Sequence, residues 1–282
     1  MNGITTHPLT GGDTRNGEAH MKRMFRTLVA VMALGVLGAL PAAAQQDFQW
    51  RGRIPAGKSL EIKGVNGWIH VQRADGDMAT VVASKRGRRD NPDDVKVEVV
   101  QHDGDVTICA VYPTPRRARR ENECAPGDGG HMSVHDNDVK VEFTVQVPDG
   151  AEFIGRTVNG DVSVDGVKGN VEAHTVNGDV DVGTAGYAEA KTVNGSITAT
   201  LGDSDLPHGL DFSTVNGSIT VEMPEGLNAD FSARTVNGHI ETDFPITIQG
   251  RMSPRHLSGQ IGKGGPELSF STVNGSIRLR RR

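Results

Sequence analysis

The residue types best suited to chemistry lie in and beside a segment rich in Pro, Arg, Gly and Asp, residues 112–138. Cys109 and Cys124 are the two cysteines of the chain. In an oxidising compartment such a pair predicts a disulfide, and closing a loop of about 15 residues stabilises a fold by roughly 3 kcal/mol. A second interpretation adds His131 and His135 to give a Cys2His2 metal site. Irregular spacing and the expected compartment favour the disulfide.

Carboxylates offer a second kind of chemistry. Asp161 and Asp179 hold equivalent positions in an internal repeat, so they could stack as a calcium site or as paired acids acting on a glycosidic bond. The later copies carry Ser or His there, and aromatic residues, which form sugar platforms, make up only 4% of the chain. We therefore expect a solvated edge with at most weak calcium binding. The sequence predicts no catalytic residue and no cofactor.

The elements that must position these residues are set by a repeated tetrapeptide. Six copies of Thr-Val-Asn-Gly are separated by 18, 17, 22, 21 and 37 residues, and they begin at Thr157, Thr175, Thr192, Thr214, Thr235 and Thr272. A diverged copy occupies residues 64–69. Spacings of this size indicate stacked structural repeats.

Asn-Gly between apolar residues also favours β-hairpins, so the two interpretations must be compared. A hairpin would divide the apolar residues of each copy between two faces. In an extended chain, Val158, Gly160 and Val162 share one face, whereas Thr157 and Asn159 share the other. We therefore predict a coil whose Val residues face inward. In the longest interval, Leu257 begins a similar pattern and predicts an additional coil.

Coils of roughly 20 residues that pair at about 4.8 Å per rung form a β-solenoid. Equivalent side chains then align, and stacked Asn amides can bond from coil to coil. The predicted structural ladder contains one Asn from each copy: Asn66, Asn159, Asn177, Asn194, Asn216, Asn237 and Asn274.

The domain organisation follows from changes in pattern along the chain. Residues 1–20 read as an upstream extension and 21–44 as a signal peptide: a basic start, 13 apolar residues and an Ala-Ala-Ala cleavage site. Residues 45–150 predict longer antiparallel strands that start or cap the solenoid, with a mobile Arg-rich loop at 112–138. The repeat solenoid occupies 151–282. The apolar stretch is shorter than a membrane span, so none is expected after cleavage.

Charge narrows the set of partners. A formal net charge of −5 gives no electrostatic reason to bind nucleic acid. The C-terminal run of Arg278, Arg280, Arg281 and Arg282 is a local exception. It predicts either a solvated tail or contact with anionic lipid or polysaccharide at an envelope surface.

The repeated Val-Asn-Gly pattern, the signal peptide and the strand ending at Val147-Pro148-Asp149-Gly150 resemble a bacterial adhesin β-strand-repeat domain of unknown function, the toast-rack domain, whose adhesin label is provisional. The resemblance covers about residues 54–279. It implies an all-β, right-handed single-stranded β-helix (β-solenoid) in a cell-envelope setting, and no established enzyme activity.

We expect an exported, non-catalytic scaffold or interaction module in the periplasm or at the cell surface, with an envelope protein or polysaccharide as partner. The alternatives are a β-helix enzyme acting on polysaccharide or a weak calcium-binding surface protein.

Overall fold

The computed structural model describes residues 48–204, 206, 208–248 and 253–282. The predicted extension and signal peptide lie outside these residues. These described residues belong to one compact unit. Within its described part the fold is all-β, with a single 3-10 turn at Pro92–Asp94. No helix in the described ranges is long and apolar enough to cross a bilayer.

Alternating apolar residues produce short strands, each burying one face. The strands in chain order are β1 (Phe48–Arg53), β2 (Ser59–Lys63), β3 (Ile69–Arg73), β4 (Met78–Arg86), β5 (Lys96–His102), β6 (Asp105–Val111), β7 (Lys140–Val147), β8 (Glu152–Arg156), β9 (Val162–Val167), β10 (Val171–His174), β11 (Val180–Thr184), β12 (Ala188–Lys191), β13 (Ile197–Leu201), β14 (Leu210–Ser213), β15 (Ile219–Met223), β16 (Ala229–Arg234), β17 (Ile240–Thr242), β18 (Ile246–Thr247), β19 (His256–Ile261), β20 (Glu267–Ser271) and β21 (Ile277–Arg281).

Two sheets face each other across a continuous apolar core. The first has the order β1-β4-β7-β3-β9-β11-β13-β15-β21-β17, and the second β18-β19-β16-β20-β14-β12-β10-β8-β2-β6-β5. Pairing is parallel through the middle of both sheets, as a stack of coils requires. Antiparallel pairs stand at the ends, including β1 with β4, β5 with β6, and β16 with β19. Strands from both sides of residue 150 share both sheets.

The orientation predicted for the tetrapeptide is wrong at its first two residues. The six Thr side chains are buried, with 2–6% of each residue exposed, whereas the six Val residues are 38–50% exposed. Alternation stops at the corner: Thr157 ends one inward-facing run and Val162 begins the next. Each Thr faces inward because its hydroxyl donates to the Gly carbonyl of the adjacent coil, as from Thr214 to Gly195 at 2.8 Å. The exposed Val residues form a row along this corner.

The corner also contains the asparagine ladder. Each Asn except Asn66 donates from Nδ2 to Oδ1 of its neighbour at 2.7–2.8 Å, and all six bonds run in one direction. The motif glycines form a column with no room for a side chain. A β-carbon on Gly195 would lie 1.9 Å from the carbonyl oxygen of Gly178.

The order of the coils differs from their order in the chain. Asn216 neighbours Asn274, and Asn274 in turn neighbours Asn237, so the C-terminal coil is inserted between two earlier ones. Phe270 of this coil packs against Phe212 and Phe231, with ring centroids 5.4 and 5.6 Å apart.

The additional coil predicted at Leu257 is also wrong. Residues 256–261 form β19, which pairs antiparallel with β16 and β18. The long interval therefore holds a return strand that extends the second sheet beyond the stacked coils. Gly259 lies in this strand and pairs with Phe231.

Replacement of Gly195 by Ala tests the glycine column. The new β-carbon would overlap a backbone oxygen of the next coil, so we expect a loss of unfolding free energy of about 3 kcal/mol or more, or failure to fold. Gly76→Ala is the matched control because its β-carbon meets nothing within 4 Å. Equal midpoints for the two variants in urea unfolding would contradict the close approach.

A reciprocal pair of substitutions tests which residue of the motif faces inward. Thr214→Val keeps the shape of the side chain but removes the hydroxyl donor to Gly195, which should cost about 1–3 kcal/mol in urea unfolding. Val215→Thr changes a residue that is 40% exposed, and we expect a change below about 0.5 kcal/mol. A larger loss of stability in Val215→Thr than in Thr214→Val would support an inward Val instead.

Candidate functional site

The segment predicted as an Arg-rich loop, residues 112–138, leaves the stack between β6 and β7 and is fastened at several points. We call it the disulfide loop, because Cys109 of β6 is disulfide-bonded to Cys124 within it. The Asn122 side chain donates to the carbonyls of Tyr112 and Ser133 at 2.9 and 2.8 Å. Its Oδ1 accepts from the Ser133 amide at 2.7 Å.

A buried ionic cluster holds the same loop from below. Glu61 projects from β2 and is buried, and its Oε2 accepts from Thr107 Oγ1 at 2.9 Å and from the Gly127 amide at 3.0 Å. Arg156 Nε lies 3.3 Å from the other carboxylate oxygen. Lys63 Nζ donates to the loop carbonyls of Ala125, at 2.6 Å, and Gly127. A carboxylate so deeply buried needs these cations and donors, so the cluster ties the loop to β2 and β8.

A cleft of about 670 Å³ lies between the disulfide loop and the first coils. One wall is the motif corner, with Val65, Asn66 and Val158. The other wall is the loop, which contributes Met132 and Val134 among others. The lining thus combines apolar side chains with polar groups that hold fixed positions, which is typical of a ligand site.

The cleft also receives the end of the asparagine ladder. Asn66 is the first member, and its Oδ1 accepts from Asn159 at 2.8 Å. Its Nδ2 has the Asn137 carbonyl at 3.5 Å, beyond the usual hydrogen-bond range. Since all ladder bonds run in one direction, their amide dipoles add, and the positive end points toward the cleft. A hydrogen-bond acceptor would be favoured beside Asn66.

The candidate metal residues predicted from the sequence have other roles. Asp161 Oδ1 accepts from the Asp179 amide at 2.9 Å, and Asp179 Oδ1 accepts from the Ser196 amide at 2.7 Å. The two aspartates therefore begin a second ladder beside the asparagines. His135 faces Asp136, with 3.1 Å between Nε2 and Oδ2, while the main chain of His131 pairs with Glu123.

Both cysteines are oxidised, so neither can serve a Cys2His2 site. Over the described ranges no group of three or more His, Cys, Asp or Glu residues is placed to hold a metal ion.

Part of the C-terminal arginine run belongs to β21 and carries paired charges, so it is not a loose tail, although Arg281 and Arg282 are exposed. Arg278 and Arg280 project from β21 toward Glu241 at 3.2 and 3.5 Å. Arg280 also lies 3.4 Å from Asp243. β21 pairs with β15 along its whole length and with β17 as far as Leu279, so the start of the run lies within the sheet.

Sequence analysis missed Glu61, Lys63 and Arg156, which shape the loop wall of the cleft. The signal available was their position in strands: β2 and β8 pair so that Lys63 stands beside Arg156. Without that register, residues separated by more than ninety positions give no local pattern.

Comparison with known protein families gives one result that covers most of the chain. The model of the Toastrack DUF4097 family matches residues 53–280. No curated protein matches the chain.

Two of the similar solved structures illustrate the likeness. A provisionally named cell adhesion protein of Clostridium sporogenes is 11% identical, with 84% of this chain and 100% of that chain covered and a TM-score of 0.41. A provisionally named adhesin of Bacteroides fragilis is 12% identical, with 85% and 98% covered and a TM-score of 0.29.

Tyr112 is the first residue of the disulfide loop, and the titration of its phenol should report whether this site is folded. Burial raises the pKa of Tyr112 to about 12, and its hydroxyl donates to the Val139 carbonyl at 2.8 Å. The unfolded phenol has a pKa near 10, so the stabilisation is complete below pH 10 and is lost as pH rises toward 12, by roughly 2 kcal/mol. Phenolate absorbance should show a step near pH 12 that Tyr112→Phe removes and Tyr187→Phe keeps. Loss of that step in the Tyr187 variant alone would contradict the assignment.

Proposed function

Since the chain belongs to the Toastrack DUF4097 family, we propose that it is an exported, non-catalytic cell-envelope protein that acts as a rigid β-solenoid scaffold and interaction module. The proposal includes a right-handed winding, removal of residues 21–44, and a periplasmic or cell-surface location. The basic start, apolar stretch and Ala-Ala-Ala site of that leader support export.

Rigidity follows from the way the coils are joined. Each corner contributes a backbone bond, a Thr-to-carbonyl bond and an Asn-to-Asn bond to its neighbour, as Asn194, Thr192 and Gly178 illustrate. Neighbouring coils thus bond to each other at the same points throughout. A stack of this kind holds its surface groups at fixed intervals, which suits a scaffold.

The cleft beside the disulfide loop is the observation that carries the interaction role. Its loop wall is fastened by a disulfide and by the Glu61 cluster, so its shape is set before a partner arrives. Preorganisation of this kind lowers the entropic cost of binding. The exposed side chain of Val158 and the amide of Asn66 offer an apolar contact and a donor side by side. An envelope protein or a polysaccharide could use both.

A matched pair of valine substitutions tests this function. Val158 lines the cleft, whereas Val236 belongs to the last coil of the same exposed row. We expect Val158→Arg to weaken binding to envelope protein or polysaccharide fractions by about tenfold or more, because a buried apolar contact is lost and a charge is desolvated. Val236→Arg should bind like the unaltered chain. Binding would be measured with immobilised protein, alongside an assay for new reducing ends.

Three results would overturn the proposal. The first is release of new reducing ends from polysaccharide, which would indicate an enzyme. The second is an equal loss of binding in both variants. The third is an absence of binding to any envelope fraction by a chain that unfolds with the expected cooperativity.

A further inference from the structure

Four arginines stand together at an exposed turn of the disulfide loop. They are Arg116, Arg117, Arg119 and Arg120, and we call residues 115–120 the arginine tip. All four side chains are exposed, and none forms an ion pair or hydrogen bond with another residue of the described ranges. Between residues 113 and 122 the sequence carries one acid, Glu121. The tip is therefore a concentrated positive charge on an acidic protein.

Most arginines elsewhere in the described part of the fold lie beside an acid. Arg73 makes a paired contact with Asp149 at 2.6 and 2.7 Å, and Arg278 and Arg280 face Glu241. Exposed ion pairs contribute little to stability, and single arginines such as Arg51 and Arg234 also lack one in the described ranges, so the grouping of four is what distinguishes the tip. Four neighbours without one repel each other, at a cost in folding free energy.

The tip is held in shape despite this repulsion. The Ala118 amide donates to the Pro115 carbonyl at 2.8 Å and closes a turn, with Arg116 and Arg117 at its centre. The main-chain N–H of Asn122 donates to Thr114 Oγ1 at 2.9 Å and so joins the residues on either side of the tip. The disulfide at Cys124 follows directly. The four exposed arginines thus stand on a short segment that is braced at its turn and at both flanks.

We propose that the arginine tip docks on an anionic lipid surface by binding headgroup phosphates. A guanidinium can donate two parallel hydrogen bonds to one phosphate, and Arg is preferred where planar bidentate recognition matters. Exposure decides between a surface and a soluble polyanion. All four arginines are exposed and none of them lines the neighbouring cleft, whereas a linear polymer is better held along a groove.

Two charge-matched variants of the full chain test the proposal. The tip variant is R116A/R117A/R119A/R120A. The scattered variant is R51A/R88A/R234A/R255A, which removes four other exposed arginines that have no ion-pair partner in the described ranges. Both lower the net charge by the same amount. Binding is measured by sedimentation with phosphatidylcholine vesicles that contain or lack phosphatidylglycerol, and folding is checked by thermal unfolding.

The tip variant should lose binding to anionic vesicles. Each arginine near such a surface contributes roughly a fivefold gain in partitioning, so four together should be worth on the order of a hundredfold or more. The scattered variant should change by less than about threefold, because charges more than about 10 Å from the lipid are screened at 0.1 M salt. Neither variant should alter the weak binding to neutral vesicles.

Other results would overturn the proposal. Equal losses in the two variants would assign the effect to net charge. If the unaltered chain showed no preference for anionic vesicles, docking on an anionic lipid surface would be ruled out. Tighter binding to soluble polygalacturonate than to vesicles would point to a carboxylate polymer instead. Val158→Arg should leave vesicle binding unchanged, so this experiment and the cleft experiment fail independently.

Discussion

The carbonyl oxygen of each corner glycine occupies the space that a β-carbon on the next glycine would need. This contact sets the distance between coils at the corner and admits no other residue type. The crowded carbonyl then needs a donor, and the buried Thr of the adjacent coil supplies it, as Thr175 does for Gly160 at 2.8 Å. Thr must therefore face inward, and Val is left outside. The tetrapeptide works as one hydrogen-bonded unit.

Much of this could be predicted from the sequence, because the period and the Asn ladder follow from composition and spacing alone. Orientation at the corner could not be predicted in the same way. Strict alternation was assumed to continue through the motif, but the chain bends there and alternation resumes only at Val162. An exposed Val beside a buried Thr is the reverse of what the hydrophobicity of the two side chains predicts. It becomes understandable only once the Gly carbonyl is seen to lack another donor.

The order of the coils shows a second limit of sequence analysis. A period gives the length of a coil but does not say which coil lies next to which. The signal was present in finer detail: residues 210–219 and 268–277 are nearly identical, and they stack directly in register from Leu210 on Leu268 to Ile219 on Ile277. Like sequences stack well because Phe212 and Phe270 then lie parallel, with 11° between their rings. The cleft carried no comparable signal, since Glu61, Thr107 and Arg156 meet only after the coils have formed.

Stacking also determines where the protein can carry unbalanced charge. Equivalent side chains in adjacent coils lie about 4.8 Å apart. A charge repeated at one position would therefore repel the like charge in the next coil by about 1 kcal/mol even in water. Many positions of the stack meet this constraint with neutral Asn, Ser and Thr, with acids that accept backbone bonds such as Asp161, or with opposite charges. Where like charges do stack, as Lys63 and Arg156 do, an acid pairs with both of them, here Glu61. A segment outside the stack is free of the constraint. The disulfide loop is such a segment, and its cross-links take the place of the coil-to-coil bonds that it lacks. Recognition by concentrated charge is therefore favoured at the loop, whereas the regular corners favour shape and rigidity.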